Sequence, residues 1–160
     1  MIFVTIGSQE PFDRLIKIMD DLAPSLSSVE VIAQSGPRSK YIPRHLKMVE
    51  FIPPEAFSKF LSEADLIISH AGMGTILNVL EIGKPLIVFP RLGRLHETRD
   101  DHQVATVKIF ERKGLVHVAN NEEEMQEKIL SFFEGNIKPA PKIPPFASTE
   151  LLASLREFIK

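Results

Sequence analysis

Residues 69–75, Ser-His-Ala-Gly-Met-Gly-Thr, combine residue types that suit the binding of an anion. They follow the apolar run 66–68 and open a segment of helical periodicity, which predicts a strand, a glycine-rich turn and a helix start in that order. A helix start exposes unpaired N–H groups and the positive end of the helix dipole, and glycines let an anion approach the backbone closely. The chemistry indicated is therefore phosphate binding.

A second glycine turn, Gly7-Ser8-Gln9, follows the apolar segment at residues 1–6. A tight connection without a ligand is the alternative interpretation of both turns. Neither turn matches the GxGxxG or GxxxxGK[ST] pattern, so the sequence does not support a standard dinucleotide site or a P-loop. A nicotinamide-dependent oxidoreductase is disfavoured for the same reason.

The elements that position these turns are short strands that alternate with longer helical segments. Strands are predicted at residues 1–6, 29–34, 47–52, 65–69, 86–89 and 115–118. Helices are predicted at residues 12–26, 55–63, 74–83, 100–113 and 121–134. This alternation, with strands such as 86–89 that are apolar on both faces, predicts a Rossmann-like α/β domain with a mostly parallel sheet. Both glycine turns then lie at the C-terminal ends of strands, where open parallel sheets bind ligands.

The length of the chain limits its domain organisation. With 160 residues, of which 44% are apolar, it can bury one full core but not two. We expect one domain at residues 1–138, a proline-rich hinge at 139–147 and a terminal helix at 148–160. The helix carries apolar residues on one face, so it either packs back on its own domain or contacts a partner.

The composition excludes several functional classes. A net charge of −2 gives no reason to expect a nucleic acid or an anionic membrane as partner. The chain has no cysteine, which excludes disulfides and thiolate metal sites and is compatible with the cytoplasm. We expect neither a membrane span nor a signal peptide, because no apolar run approaches about 20 residues and the N-terminus lacks a charged region and a cleavage site.

Three motifs follow one another along the chain: the glycine loop, the segment Glu81 to Pro85, and Asp101-His102-Gln103 at the end of PRLGRLHETRDDHQ. In this order they resemble the C-terminal domain of glycosyltransferase family 28, the donor-binding half of GT-B enzymes such as the bacterial lipid-linked N-acetylglucosaminyltransferase of peptidoglycan synthesis. The chain is more similar still to the small subunits of two-part enzymes. These are the donor subunit of the eukaryotic dolichol-linked N-acetylglucosaminyltransferase and the corresponding subunit of bacterial exopolysaccharide glycosyltransferases, to which PRLGRLHETRDDHQ is nearest. The likeness covers most of residues 1–135 and implies a domain equivalent to the C-terminal half of a GT-B enzyme.

The resemblance implies that the glycine loop binds the diphosphate of a UDP-sugar. The hydrogen-bond donors would be the Thr75 side chain and the amides of Gly72, Met73 and Gly74. They would stabilise the leaving group, whose negative charge grows as the sugar departs. His70 is the candidate catalytic residue, as a donor beside the same phosphates; the alternative is a structural imidazole. The Gly7-Ser8 turn belongs to the same predicted donor site.

Other positions of the resemblance would bind the nucleoside and the sugar. Glu81 is expected to accept hydrogen bonds from the ribose diol, unless it is an ordinary solvated helix residue. The base is expected near Ile52, within the segment 51–53, unless Phe51 is simply a core residue. Asp101, His102 and Gln103 are expected against the donor hexose, with an N-cap aspartate as the alternative for the first of them.

Three arginines precede this last motif, namely Arg91, Arg94 and Arg99. They are secondary candidates for neutralising the diphosphate or an acidic sugar, and the alternative is an exposed loop with scattered charges. No metal site is expected, because neither HExxH nor DxD occurs in the chain. No cofactor is expected either: the UDP-sugar is a substrate, and Mg²⁺ would only accompany the nucleotide.

A complete GT-B enzyme has a second domain, for which this chain has no room. The resemblance therefore implies a membrane-anchored partner subunit that binds the acceptor and supplies the general base. Together they would form a UDP-sugar-dependent inverting hexosyltransferase that extends a lipid-linked saccharide in exopolysaccharide synthesis, at the cytoplasmic face of the membrane. The alternative is a non-catalytic nucleotide-sugar-binding or scaffold subunit. The sequence does not identify the hexose.

Overall fold

The computed structural model describes residues 1–8 and 10–159. Its strands are Ile2–Thr5 (β1), Val31–Gln34 (β2), Lys47–Val49 (β3), Leu66–His70 (β4), Leu86–Phe89 (β5) and His117–Val118 (β6). Its α-helices are Asp13–Leu22 (α1), Pro54–Glu63 (α2), Met73–Ile82 (α3), His102–Arg112 (α4), Glu122–Phe133 (α5) and Thr149–Ile159 (α6). Gln9 of the first glycine turn and Lys160 of the predicted terminal helix lie outside the described residues.

These strands form one parallel sheet in the order β3-β2-β1-β4-β5-β6. The chain moves outward from β1 in one direction, then returns to place β4 on the other side of β1. The loops that follow β1 and β4 therefore diverge, and a crevice opens between them at the C-terminal edge of the sheet. Both glycine turns lie at this crevice, and the prediction of a mostly parallel sheet is confirmed.

Each face of the sheet is buried under helices. Because successive strand residues point to opposite faces, β1 contributes Ile2 and Val4 to one core and Phe3 to the other. Helices α1 and α5 cover the first core, and α2, α3 and α4 cover the second. Two apolar layers thus fix the sheet from both sides and hold the strand ends at the crevice.

Two predicted elements end earlier than expected. The helix predicted over 12–26 is α-helical only to Leu22 and continues as the 3₁₀ helix Ala23–Leu26, because Pro24 has no N–H and cannot continue an α-helix. The strand predicted over 47–52 ends at Val49. The Ser35 N–H makes the last hydrogen bond to it, at the Val49 carbonyl, before the neighbouring chain turns at Gly36, where φ is 71°.

The helix predicted over 100–113 begins at His102 because the two preceding aspartates make loop contacts. The Oδ1 atom of Asp100 accepts a hydrogen bond from the His102 N–H at 3.0 Å. The Oδ1 atom of Asp101 accepts one from the Gly93 N–H at 2.8 Å. The C-terminal end of α3 is capped by Gly83, whose left-handed backbone has φ 69°.

The proline-rich segment 139–147 is partly packed against the domain. Ile137 lies in the first core, whereas Ala140 and Ile143 pack against the second, so the chain passes from one face of the sheet to the other. The Ile143 N–H donates to the Leu80 carbonyl of α3 at 3.4 Å. The α6 helix beyond it has no buried residue. The division into domain, hinge and terminal helix stays a prediction.

A buried carboxylate fixes the loop that precedes β3. Asp20 on α1 is fully buried and accepts hydrogen bonds at 2.8 to 2.9 Å from the N–H groups of Arg44, His45 and Leu46 and from the Tyr41 hydroxyl. Burial by itself raises the pKa of Asp20, but these four bonds outweigh it and lower the pKa below its usual value. The charged side chain therefore ties α1 to the loop.

No helix within residues 1–8 and 10–159 combines the length and the apolar character that crossing a membrane requires.

Candidate functional site

A cavity of about 1170 Å³ lies at the C-terminal ends of β1, β4 and β5. It collects residues from both glycine turns and from the loop between β5 and α4, which are far apart in the sequence. The predicted site residues that line it are Gly7, Ser8, His70, Gly72, Gly74, Thr75, Arg91, Arg99, His102 and Gln103. Its size suits a nucleotide-sized ligand, and its location is the one expected for a parallel sheet.

The start of α3 presents hydrogen-bond donors at this cavity. Gly72 is the N-cap residue and has no side chain that could cap the helix. The first hydrogen bond of the helix runs from the Ile76 N–H to the Gly72 carbonyl. The N–H groups of Met73, Gly74 and Thr75 have no hydrogen-bond partner among the described residues. They remain free to bind an anion, with the positive end of the helix dipole behind them.

His70 lies at the end of β4, between the two glycine turns. A Cβ atom at Gly7 would meet the His70 Cε1 atom at 2.8 Å, and a Cβ atom at Gly72 would overlap the imidazole Nε2 atom. Burial of the ring lowers the pKa of His70 to about 4; the charge of Arg91 adds to this effect, and a backbone interaction with Thr5 opposes it. His70 is therefore neutral at neutral pH, and its buried Nδ1 atom has no hydrogen-bond partner within residues 1–8 and 10–159.

Gln103 is held with its amide in a defined orientation. It is 6% exposed, and its Oε1 atom accepts a hydrogen bond from the Arg91 backbone N–H at 3.1 Å. The Nε2 hydrogens are then left to donate to a ligand in the cavity. His102 also lines the cavity, and its Nδ1 atom lies 2.5 Å from Asp100 Oδ1. Asp101 does not line it, since one carboxylate oxygen supports Gly93.

Four other predicted residues lie outside the cavity lining: Ile52, Met73, Glu81 and Arg94. Ile52 is 6% exposed in the second core, so only its backbone is available to a base. Glu81 is exposed on α3, six residues after Thr75. Asn78, which we did not single out from the sequence, is exposed one turn nearer to the cavity, four residues after Gly74 and on the same side of α3. The roles of all the predicted site residues, whether or not they line the cavity, stay predictions.

Arg91 is buried, not exposed as in a loop of scattered charges. It is 4% exposed, and its two terminal nitrogens donate to four backbone carbonyls, those of Ile6, Glu10, Pro11 and Glu97. Burial lowers the pKa of Arg91, whereas the carboxylates of Glu97 and Glu10 act in the opposite direction. The terminal nitrogens of the guanidinium thus donate to backbone carbonyls of the protein. The group therefore acts on the cavity through its positive charge and not through hydrogen bonds to a ligand.

The cavity also contains residues that the sequence did not single out, among them Glu10, His96 and Glu97. Glu97 forms a bidentate ion pair with Arg14 on α1, 83 positions away, at 2.7 and 2.8 Å. His96 has a left-handed backbone with φ 56°, a conformation that non-glycine residues adopt rarely. His96 and Glu97 both lie within PRLGRLHETRDDHQ. The many polar residues of this segment are the sequence feature that could have indicated their place in the cavity.

Metal ligands do not converge in the part of the chain that the structure describes: no group of three or more histidine and carboxylate side chains there could hold a metal ion.

Comparison with known proteins agrees with this geometry. Residues 1–153 match the model of the glycosyltransferase family 28 C-terminal domain. The chain is 47% identical over 108 residues to the UDP-N-acetylglucosamine transferase subunit ALG13 of Debaryomyces hansenii, a match that covers 68% of this chain and 50% of that protein. It is 32% identical over 125 residues to the Homo sapiens protein of the same name, covering 71% of this chain and 10% of that protein. The chain thus spans half or less of the length of these relatives.

A solved structure extends the match to the fold. The NMR solution structure of ALG13 aligns with a TM-score of 0.61 and 25% identity, over 96% of this chain and 93% of that one. The parallel α/β domain is equivalent to the Rossmann-like C-terminal half of GT-B glycosyltransferases. Since the family model covers nearly the whole sequence, the chain belongs to the glycosyltransferase family 28 C-terminal domain family.

Proposed function

We propose that this chain is the donor-binding subunit of a two-component inverting glycosyltransferase that uses a UDP-sugar. The observation that carries the proposal is the convergence at one cavity of a free helix start, two glycine turns and a neutral, buried histidine. This arrangement offers many hydrogen-bond donors and little room for side chains, which suits a diphosphate. The names of the ALG13 relatives, which specify UDP-N-acetylglucosamine transferase subunits, support the choice of nucleotide.

The donors at the start of α3 would act on the leaving group. As the bond between the sugar and the diphosphate breaks, negative charge grows on the phosphate oxygens, and the N–H groups of Met73, Gly74 and Thr75 would bind that charge more strongly than they bind the ground state. His70, which is neutral, would donate one hydrogen bond to a phosphate oxygen without bringing a positive charge to the site. Gln103 would donate to a hydroxyl or carbonyl oxygen of the donor sugar through Nε2.

The acceptor, its general base and the attachment to the cytoplasmic face of the membrane would come from a partner subunit. The exposed apolar residues of α6, among them Leu151, Leu155 and Phe158, support a contact between this helix and that partner. The segment PRLGRLHETRDDHQ supports a role in bacterial exopolysaccharide synthesis.

Glu81 and Asn78 on α3 are both candidates for hydrogen bonding to the ribose of the donor. Of the two, Asn78 lies nearer to the cavity.

Calorimetry with the purified chain tests donor binding. We expect UDP and at least one of UDP-N-acetylglucosamine, UDP-glucose, UDP-galactose and UDP-glucuronic acid to bind, and ADP to bind more weakly. Failure of UDP and of all four UDP-sugars to bind would overturn the proposal.

A second experiment separates a catalytic subunit from a scaffold: Gln103→Ala is introduced into this chain, and the variant is reconstituted with its partner subunit. Undiminished transfer by a pair that still assembles would favour the scaffold.

A substitution at Gly74 separates folding from ligand contact. A Cβ atom there meets no heavy atom of the described protein within 4 Å, and Gly74 lies in the first turn of α3. Gly74→Ala is therefore expected to stabilise the domain by about 0.5–1 kcal/mol, because alanine loses less backbone entropy than glycine on folding. UDP affinity is nonetheless expected to fall, because the new methyl group points into the space of the diphosphate.

Urea denaturation and calorimetry on the same Gly74→Ala preparation measure the two effects. Greater stability together with unchanged UDP affinity would contradict a diphosphate bound close to this residue.

A further inference from the structure

Two arginines connect the loops on opposite sides of the cavity. One loop joins β1 to α1 and contributes Gly7, Ser8 and Glu10 to the lining; the other joins β5 to α4 and contributes Gly93 and residues 96–100. No backbone hydrogen bond between these two loops is present among the described residues. Side chains must therefore set the distance between them.

Arg91 reaches from the second loop into the first. Its Nη2 atom donates to the carbonyls of Ile6 at 3.1 Å and Glu10 at 2.7 Å, and its Nη1 atom donates to the carbonyl of Pro11 at 2.7 Å. Nη1 also donates to the carbonyl of Glu97 in its own loop, at 3.3 Å. One rigid, planar group thus binds four carbonyls across two loops.

Arg14 makes the reciprocal connection from α1. Its Nε and Nη2 atoms donate to the two carboxylate oxygens of Glu97 at 2.7 and 2.8 Å, and Nη2 also donates to the Pro90 carbonyl at 2.9 Å. Glu97 in turn accepts a hydrogen bond from the Leu92 N–H at 2.9 Å.

An aromatic ring lies against both guanidinium groups. The Cζ atom of Arg91 is 4.6 Å from the centroid of the Phe12 ring, and that of Arg14 is 5.2 Å from the same centroid. Such contacts hold the planar groups in place. A lysine in place of either arginine would keep the charge but not the planar array of donors, so it could not bind carbonyls in several directions at once.

We propose that Arg14 and Arg91 are positioning residues that hold the two loops at the separation needed to bind the donor diphosphate. This inference rests on the proposed function, since it assigns a task within the same site. Neither guanidinium has to touch the ligand. Arg91 acts through the carbonyls of Ile6 and Glu10, which flank the Gly7-Ser8 turn, and Arg14 acts from α1 through Glu97 and the Pro90 carbonyl. A site fixed before binding loses less free energy in ordering its loops.

The test uses Arg91→Lys and the milder Arg14→Lys, with Arg112→Lys on the exposed end of α4 as the matched control. For each folded variant, calorimetry measures UDP affinity well below the unfolding temperature. We expect UDP to bind at least about tenfold more weakly to Arg91→Lys, less weakened binding to Arg14→Lys, and no change in the control. A purely structural role would lower the unfolding temperature and leave UDP affinity unchanged, and that result would overturn the inference.

Hydrogen exchange in the same variants gives a readout that does not depend on UDP. The amides of residues 6–8, 10, 12 and 92–98 are expected to exchange faster in Arg91→Lys, while those of α5 keep their protection. Unchanged exchange in both loops would contradict the inference. The two proposals can fail separately. If the wild-type chain does not bind UDP but both loops exchange faster in Arg91→Lys, the proposed function is wrong, whereas the role of the arginine in holding the loops is supported.

Discussion

Replacing Gly72 with alanine is expected to weaken UDP binding by at least about 100-fold while the domain remains folded. The backbone of Gly72 has φ −81° and ψ 128°, which alanine adopts without strain. Its Cβ atom, however, would overlap the Nε2 atom of His70 and lie 2.6 Å from Cε1. The imidazole must therefore leave its present position, in which it also lies against Gly7.

A double variant identifies the cause. His70→Ala removes the ring that Gly72→Ala would displace, so the pair of substitutions should bind UDP no more weakly than His70→Ala alone. Calorimetry on the three variants measures this coupling. Gly72→Ala with wild-type affinity would show that the ring does not need its present position. A double variant weaker than both single variants would show that Gly72 also contacts the ligand directly.

The pKa of His70 adds an acid dependence to the stability of the domain. Folding lowers this pKa from 6.5 to about 4, so between these pH values the unfolded chain binds more protons than the folded one. The contribution of the neutral ring is fully present above pH 6.5 and is lost as the pH falls toward 4. In His70→Ala, the urea midpoint should therefore depend less on pH across this interval.

Replacing Asp20 with asparagine is expected to destabilise the domain by about 3–5 kcal/mol, a large part of the stability of a domain of this size. Each carboxylate oxygen of Asp20 accepts two hydrogen bonds, one oxygen from the His45 and Leu46 N–H groups and the other from Arg44 N–H and the Tyr41 hydroxyl. An asparagine amide would point its NH₂ group at one of these pairs. Those donors would then be buried without an acceptor.

Urea denaturation measures this loss, with Asp21→Asn as the control. Asp21 is an exposed neighbour whose side chain pairs only with Lys17 among the described contacts. Because folding lowers the pKa of Asp20, its stabilisation is present above its unfolded value of 3.8 and is lost as the pH falls below it. The asparagine variant should lack this acid-dependent part. Equal stability of the Asp20 and Asp21 variants would contradict the assignment.

Tyr41 provides a spectroscopic check of the same contact. It is the only tyrosine in a chain without tryptophan, so tyrosinate absorbance reports on this residue alone. The hydrogen bond to Asp20, with burial and the charge of that carboxylate, raises the pKa of Tyr41 to about 12. In Asp20→Asn the pKa is expected to fall toward its usual value of 10.0, because the charge is gone. If the pKa of Tyr41 stays near 12 in Asp20→Asn, the carboxylate of Asp20 is not the cause of the raised value.

The fold and the glycine turn before α3 were predictable because they depend on short-range patterns. Alternating apolar runs and helical periodicity indicated the parallel sheet, and a glycine pair after the apolar run 66–68 indicated the turn before α3. The element ends were less predictable. The end of β3 depends on how far its neighbour β2 extends, and the start of α4 depends on the hydrogen bond that the Gly93 N–H donates to Asp101.

The sequence by itself therefore determined the α/β architecture, the glycine turn before α3 and the family. Only the tertiary structure decided what the polar side chains do. Arg91 stands in a polar segment and resembles an exposed ligand for phosphate, yet it is buried because its guanidinium meets the carbonyl of Ile6, 85 positions away. His70 is neutral because the folded chain buries it beside Gly7 and Gly72. Such contacts join residues that are distant along the chain, and local sequence patterns carry no record of them.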